Sequence, residues 1–338
     1  MILIDSVFIN DGGGLVLLEY LVNELQKSDL EVCYLFDARV KDCFLKYGDL
    51  ENVFFIQNTM TARRKFYKSN LHDFSHVLCF GNVPPPIRLN ACVFVYFHQR
   101  LFLDIPKNFS FKSKLMYGLK QWVLKYYRFN ADYWFVQTDA IQLGFAKKYL
   151  NENTNTIKVL PFYPPLDFKF NQVDRLKHTF LYVSNSSPHK NHEKLIMAFC
   201  EAYDEAKKGS LCLTVPIEDV KLCNLIKEKL TQGYPIKNVG FVNRDDLADL
   251  YLTHEYLIFP SLSESFGLGL AEAIDGGCKV IAADLPYTYQ VCNPSLTFNP
   301  YSIDSIESAI IKSVTQELPE SNKIITNDIN QLILLLSE

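Results

Sequence analysis

Two glutamates, Glu264 and Glu272, stand eight residues apart in the segment Phe259-Pro-Ser-Leu-Ser-Glu-Ser-Phe-Gly-Leu-Gly-Leu-Ala-Glu-Ala-Ile-Asp. The segment reads as a strand, a loop and a helix, with Glu264 in the loop and Glu272 in the first turn or so of the helix. Two carboxylates separated by such a turn can address different parts of one elongated ligand. Gly267 and Gly269 between them allow backbone N–H groups to approach that ligand closely, and a helix N-terminus beside glycine suits a diphosphate. Each acid also has a plain structural reading. Glu272 would offset the helix dipole, worth roughly 0.3–1 kcal/mol, and Glu264 would be a solvated loop acid.

Three further segments place polar groups just after apolar runs. In Leu181-Tyr-Val-Ser-Asn-Ser-Ser-Pro-His-Lys-Asn-His, Lys190 offers a cation at the start of a helix, with Asn185 in the preceding loop. An ordinary surface lysine is the competing reading. Asn10-Asp-Gly-Gly-Gly-Leu-Val-Leu-Leu feeds a glycine turn into an amphipathic helix. Such turns bind phosphate or merely close a tight strand-to-helix connection, and Gly13 and Gly14 lie inside this one. The pattern is not G-x-G-x-x-G, which gives little support to a nicotinamide cofactor. His98 follows the apolar run Cys92–Val95, where a neutral imidazole can hydrogen-bond a hydroxyl or assist proton movement, or serve only the structure.

Short apolar runs alternate with helical-period segments along the chain, which predicts parallel sheets covered by helices on both faces. Strands are expected near Ile2–Ile9, Glu31–Phe36, Val53–Ile56, His76–Phe80, Cys92–Phe97, Tyr133–Val136 and Ile157–Leu160. A second set is expected near Phe180–Val183, Leu211–Val215, Asn238–Phe241, Tyr256–Phe259 and Lys279–Ala282. Between the sets, Pro161–Asp167 carries three prolines and is read as the linker. Two doubly wound halves follow, with chemistry expected in the loops after their strands.

The 338 residues and 48% hydrophobic content support two cores. A net charge of −4 gives no general attraction to nucleic acid, but 19 basic and 15 acidic residues precede Pro165 inclusive, against 15 and 23 after it. The basic excess suits an N-terminal half working near an anionic surface or ligand, although scattered solvated charge is the blander reading. Nine cysteines without a C-x-x-C pair read as reduced thiols, and no metal-ligand spacing appears. Met1–Ile9 lacks the features of a signal peptide and no apolar run spans a bilayer, so a cytoplasmic protein is expected. Lys107–Arg128 holds six basic residues and no acid. Its apolar face, Leu115, Leu119, Trp122, Val123 and Tyr126, is assigned to packing on the sheet, while the basic side, with Arg63, Arg64, Lys65 and Lys68, is offered to an anionic lipid surface.

Glu264 and Glu272 in these PSxxExFGLxxxEA surroundings resemble the E-x7-E motif of retaining GT-B glycosyltransferases of family 4. The resemblance covers nearly the whole chain, most strongly Phe180–Pro286. It implies two Rossmann-like domains facing a central cleft, residues 1–165 for the acceptor and 166–338 for the nucleotide sugar, with a last helix that can cross back. By the same resemblance Glu272 holds the ribose hydroxyls, Glu264 lies beside the donor sugar, and Phe266, Gly267 and Leu268 contact sugar and phosphates. Lys190 neutralises the diphosphate, Gly13 and Gly14 line the cleft, and His98 points at the donor sugar. Asn185 stands where the family commonly has arginine, with His189 or Arg244 as candidate substitutes. The implied donor is a nucleoside-diphosphate sugar, with no metal or other cofactor. The implied acceptor is a glycan or a lipid-diphosphate-linked sugar. Gly81–Pro85 is similar to a loop of bacterial surface-polysaccharide transferases, including those that build lipopolysaccharide O-antigen. A catalytically inactive nucleotide-binding partner, a sugar-nucleotide epimerase and a dinucleotide-dependent oxidoreductase are the alternatives.

Overall fold

In the computed structural model the chain is described over residues 1–44, 52–70, 73–105, 111–169, 175–264 and 266–338. Two units divide it: Met1–Pro164 with Thr326–Glu338, and Pro165–Ile325.

In the first unit, apolar runs of four to six residues form a seven-stranded parallel sheet: β1 (Ile2–Asp5), β2 (Val32–Asp37), β3 (Val53–Ile56), β4 (His76–Cys79), β5 (Cys92–Phe97) and β6 (Tyr133–Val136), closed by the shorter β7 (Ile157–Val159). The order is β3-β2-β1-β4-β5-β6-β7. Runs buried on both faces, such as Val93–Phe97, explain why the strands read as continuously apolar. Helices α1 (Gly12–Gln26), α2 (Lys41–Phe44), α3 (Met60–Ser69), α4 (Phe111–Tyr127) and α5 (Asp139–Tyr149) make the crossovers. In α1 the buried set Leu17, Leu18, Leu21, Val22 and Leu25 repeats at helical spacing. Thr59 and Thr138 cap α3 and α5 by accepting from Ala62 N and Ile141 N. The C-terminal helix Ile329–Ser337 joins this unit, with Leu332 and Leu336 fully buried.

The second unit repeats the plan with six parallel strands in the order β10-β9-β8-β11-β12-β14. These are β8 (Leu176–Tyr182), β9 (Ser210–Leu213), β10 (Ile236–Asn238), β11 (His254–Phe259), β12 (Lys279–Ala283) and β14 (Leu296–Phe298), while β13 (Cys292–Asn293) and β15 (Asn322–Lys323) form a small antiparallel pair. Helices α6 (His192–Ala206), α7 (Val220–Thr231), α8 (Arg244–Thr253), α9 (Leu268–Asp275), α10 (Pro286–Val291) and α11 (Ile303–Thr315) connect them. In each sheet the strand order reverses direction once, between β1 and β4 and between β8 and β11. Loops leaving those strands at their carboxyl ends frame the crevice where doubly wound folds hold ligands.

Of the expected boundaries that move, three have a clear local reason. The first strand stops at Asp5 rather than Ile9, because the Asp5 carboxylate accepts from Val7 N and Phe8 turns to φ 92°. The strand expected at Asn238–Phe241 ends at Asn238, whose side chain takes the N–H groups of Val215 and Gly240. The helix expected from Lys190 begins at His192, because Pro188–Lys190 forms a 3-10 turn and Asn191 adopts a left-handed conformation.

Candidate functional site

At the reversal point of the first sheet, the loops after β1, β4 and β5 are locked together. A Cβ on Gly81 would lie 2.3 Å from the Val7 carbonyl oxygen, so only glycine lets these two loops touch. The neighbouring Asn82, at φ 66°, accepts from His98 N at 2.8 Å and Gln99 N at 3.0 Å. It thereby fixes the backbone that carries His98. The His98 ring packs on Phe80 and Tyr96, and a Cβ on Gly14 would meet its Cε1 at 3.1 Å. The structure therefore brings Gly14 and His98 together, while Gly13 faces open space.

Burial holds the His98 imidazole down at about 4, against a hydrogen bond to the Phe80 backbone that favours the protonated form. With the ring bonded there, Nε2 has no partner among the described residues. The neutral ring thus presents an acceptor nitrogen suited to a hydroxyl.

A buried ion pair supports this loop cluster from below. Asp5 Oδ2 accepts from Arg63 Nη2 at 2.6 Å, Arg63 Nε at 3.0 Å and the Tyr67 hydroxyl at 2.6 Å. Arg63 then donates to the carbonyls of Val83 and Pro84, holding the Gly81–Pro85 loop. Burial and the Asp5 charge push the adjacent Cys79 thiol up to about 12. Arg63, expected on an exposed basic face, is 1% exposed and belongs to this network. Arg64, Lys65 and Lys68 remain exposed.

At the reversal point of the second sheet, Lys190 and Glu264 meet. Lys190 Nζ lies 2.6 Å from Glu264 Oε1, joining the loop after β8 to the loop after β11. The same loops are tied by Leu262 N donating to the His189 carbonyl, and by the Tyr182 hydroxyl between the Lys190 carbonyl and Ser261. Neither partner of the ion pair is the solvated surface group that its residue type alone would suggest: their side chains are 15% and 12% exposed. Gly267, at φ 78°, caps α9, and a Cβ there would press on Leu270. Phe266 is buried beside it, Leu268 opens the helix, and Ser265 lies outside the described residues.

Glu272 sits in the second turn of α9, 4% exposed, and so does more than offset the helix dipole. Arg244 Nη1 approaches its Oε1 at 2.5 Å and the Tyr251 hydroxyl donates to Oε2 at 3.2 Å. Burial nevertheless raises the Glu272 carboxyl above its ordinary range, outweighing Arg244 and Tyr251. Incomplete compensation of this buried acid makes Glu272 a binding-site candidate. Arg244, a candidate for the cation absent at Asn185, pairs with Glu272. Asn185 itself turns inward on its loop, accepting from Ser187 N at 3.1 Å. Among the described residues, Glu201, Asp304 and Glu307 bring their carboxylate oxygens within 4.8 Å of one another, and none of the candidate site residues is in that set.

The apolar face of α4 departs from its expected packing. Leu115, Leu119, Trp122 and Tyr126 are 61–66% exposed, and Leu124 supplies the fully buried contact instead. Lys107, part of the same basic stretch, lies outside the described residues.

His192 carries a pH prediction. It is 4% exposed, and burial, aided by Lys190, lowers its imidazole to about 4. The unfolded chain therefore takes up a proton near pH 6.5 that the native state refuses until about pH 4. The stability is full above pH 6.5 and declines as pH falls through that window, by up to about 1.4 kcal/mol per pH unit for such a group. Melting temperature measured from pH 7 to pH 4.5 should fall less steeply in His192→Gln than in wild type. Equal slopes would contradict the assignment.

The two parallel sheets and their neighbours among solved structures define the fold as GT-B, the two-domain class of glycosyltransferases. Anabaena Alr3699/HepE, solved in complex with UDP, matches with a TM-score of 0.66 at 15% identity, covering 99% of this chain and 98% of that one. Residues 165–331 match the model of the family described as glycosyl transferases group 1. O-antigen chain mannosyltransferase B of Escherichia coli is 26% identical over 141 residues, 40% of this chain and 37% of its own. The UDP-N-acetylglucosamine–peptide N-acetylglucosaminyltransferase GtfA subunit of Limosilactobacillus reuteri subsp. suis is 33% identical over 190 residues, 52% of this chain and 36% of its own. The chain thus aligns with little more than a third of the length of either relative.

Proposed function

We propose that the protein is a retaining glycosyltransferase that moves a sugar from a nucleoside-diphosphate sugar to a hydroxyl of a glycan or lipid-linked glycan, without a metal ion. The observation that carries this reading is the Lys190–Glu264 pair across the reversal point of the second sheet, beside the glycine-capped start of α9. A cation and a helix N-terminus there suit the charge that grows on a departing diphosphate. In the proposed arrangement Lys190 and the N–H groups around Phe266, Gly267 and Leu268 receive the diphosphate and sugar. Glu272 takes the ribose hydroxyls, exchanging part of its bond to Arg244 for them. Glu264 lies beside the sugar, held in place by Lys190. On the acceptor side, His98 offers Nε2 to a hydroxyl and Gly14 keeps the space next to the ring clear. Same-face attack by the acceptor hydroxyl, with the leaving phosphate taking the proton, gives retention; no protein nucleophile is assigned.

The mannosyltransferase and N-acetylglucosaminyltransferase relatives and the UDP complex of the structural neighbour support this class of donor and acceptor. Place of action follows from the acceptor: a lipid-linked glycan would bring the protein to the cytoplasmic face of the membrane as a peripheral enzyme. Among the described residues no helix is long and apolar enough to cross a bilayer. The test is product analysis with a chelator present. Transfer whose new linkage keeps the donor's anomeric configuration supports the reading. Inversion, strict dependence on added metal, or epimerised donor without acceptor would each overturn a stated part of it.

A further inference from the structure

Among the described residues nothing covers the outer face of α4, and its chemistry specifies what would cover it. At about 100° per residue, Phe111, Leu115, Leu119, Trp122 and Tyr126 share an arc of roughly 80°. They are 83%, 66%, 61%, 61% and 65% exposed. The helix is not loosely placed: on its opposite side Leu124 is fully buried, and Gln121 donates to the Leu101 carbonyl. Trp122 and Tyr126 stack on each other at 5.6 Å, forming one aromatic surface. Lys112, Lys114 and Lys125, all exposed, lie along the flanks of this arc, and no acidic residue occurs between Asp104 and Asp132. A large apolar face of this kind marks an interaction site.

Two occupants fit an apolar face, and the lysines choose between them. A second copy of the chain, related by a twofold axis, would bring two sets of α4 lysines towards each other. An anionic bilayer accepts both parts at once, acyl chains beneath the aromatic arc and headgroups beneath the lysines. We infer that α4 lies in the plane of an anionic membrane, with Phe111, Leu115, Leu119, Trp122 and Tyr126 at the boundary of headgroups and acyl chains. Binding rests on α4 alone; only its purpose, access to a lipid-linked acceptor, rests on the proposed reaction.

The protein's two tryptophans make the test direct, because Trp134 is 1% exposed and Trp122 reports on α4. Phosphatidylcholine vesicles containing phosphatidylglycerol should shift the emission to the blue at low salt, and brominated acyl chains should quench it. Trp122→Phe should abolish the shift while sedimentation with the vesicles persists. Replacing Lys112, Lys114 and Lys125 by glutamate should weaken binding on the order of 100-fold, and Leu115→Ser with Leu119→Ser should weaken it independently of charge. Circular dichroism on each variant confirms that the exposed substitutions leave the fold intact. Absence of any shift with anionic vesicles at low salt, in folded protein, overturns the inference. So does a lipid-free dimer with blue-shifted Trp122 emission that Leu119→Glu splits, since a second copy would then cover the face. Vesicle binding without glycosyl transfer would leave α4 as assigned and count against the proposed reaction alone.

Discussion

Asp5→Ala should destabilise the first unit by about 3–5 kcal/mol, the expected cost of leaving a buried charge without its counterion. Arg63 is 1% exposed and Asp5 wholly buried, so water cannot replace the lost carboxylate. For a domain of this size the loss corresponds to a fall in melting temperature of roughly 6–20 °C. The Lys221–Glu193 pair supplies the control: its side chains are 84% and 61% exposed, and Lys221→Ala should cost no more than about 1 kcal/mol. Asp5→Leu combined with Arg63→Met should regain most of the stability, because a buried ion pair is often replaceable by apolar groups of similar volume. It should not regain full function, since Arg63 also holds the carbonyls of Val83 and Pro84 next to Asn82, which fixes the backbone of His98. Calorimetry on the three variants separates these effects. A loss below 1 kcal/mol in Asp5→Ala would show that the pair carries no such weight.

Lys190→Ala should lower turnover by about 100- to 1000-fold, the usual effect of removing one donor aimed at charge that develops in the transition state. The side chain is mostly shielded from water, where its charge acts strongly on a bound diphosphate. Glu264 loses its partner in the same variant, so part of the effect arises through a displaced carboxylate. Lys190→Arg distinguishes the two contributions, because it keeps the positive charge while altering the contact to Glu264. Steady-state kinetics should show the loss in kcat more than in KM if the lysine acts on the transition state. A change confined to KM would assign Lys190 to ground-state binding alone.

The alternation of apolar runs and helical segments was enough to read two doubly wound units, because strands buried on both faces are continuous in sequence. Cys92–Phe97 and Tyr133–Val136 fall where expected. Boundaries failed where a single side chain ended an element, as Asp5 and Asn238 do. The strand Leu296–Phe298, three residues long, gave no distinguishable period. Both glutamates and Lys190 were legible through their motif, yet the Lys190–Glu264 contact joins residues 74 positions apart and could not be read from spacing. Asn82 and Arg63 were missed as supports of His98. Arg63 sits among Arg64, Lys65 and Lys68 and looked like surface charge; the available signal was Asp5, an acid inside an apolar strand that needed a buried partner. The α4 face was misassigned because periodicity shows that a helix is amphipathic without showing which side meets the core. There the packing side is made by Leu124 with Gln121, a narrower and more polar contact than the exposed arc.

In the proposed function the second unit binds a nucleoside diphosphate through Glu272 and the Lys190–Glu264 loops. Thermal unfolding of wild type and Glu272→Ala should be followed with UDP, GDP, ADP and CDP and their sugar conjugates, without added metal. At 100 times its dissociation constant the true ligand adds about 2.7 kcal/mol, or roughly 5–10 °C for a unit of this size. Such a shift is expected for one nucleotide in wild type, with its loss in a folded Glu272→Ala protein. No shift with any nucleotide, or the same shift in both proteins, would contradict it.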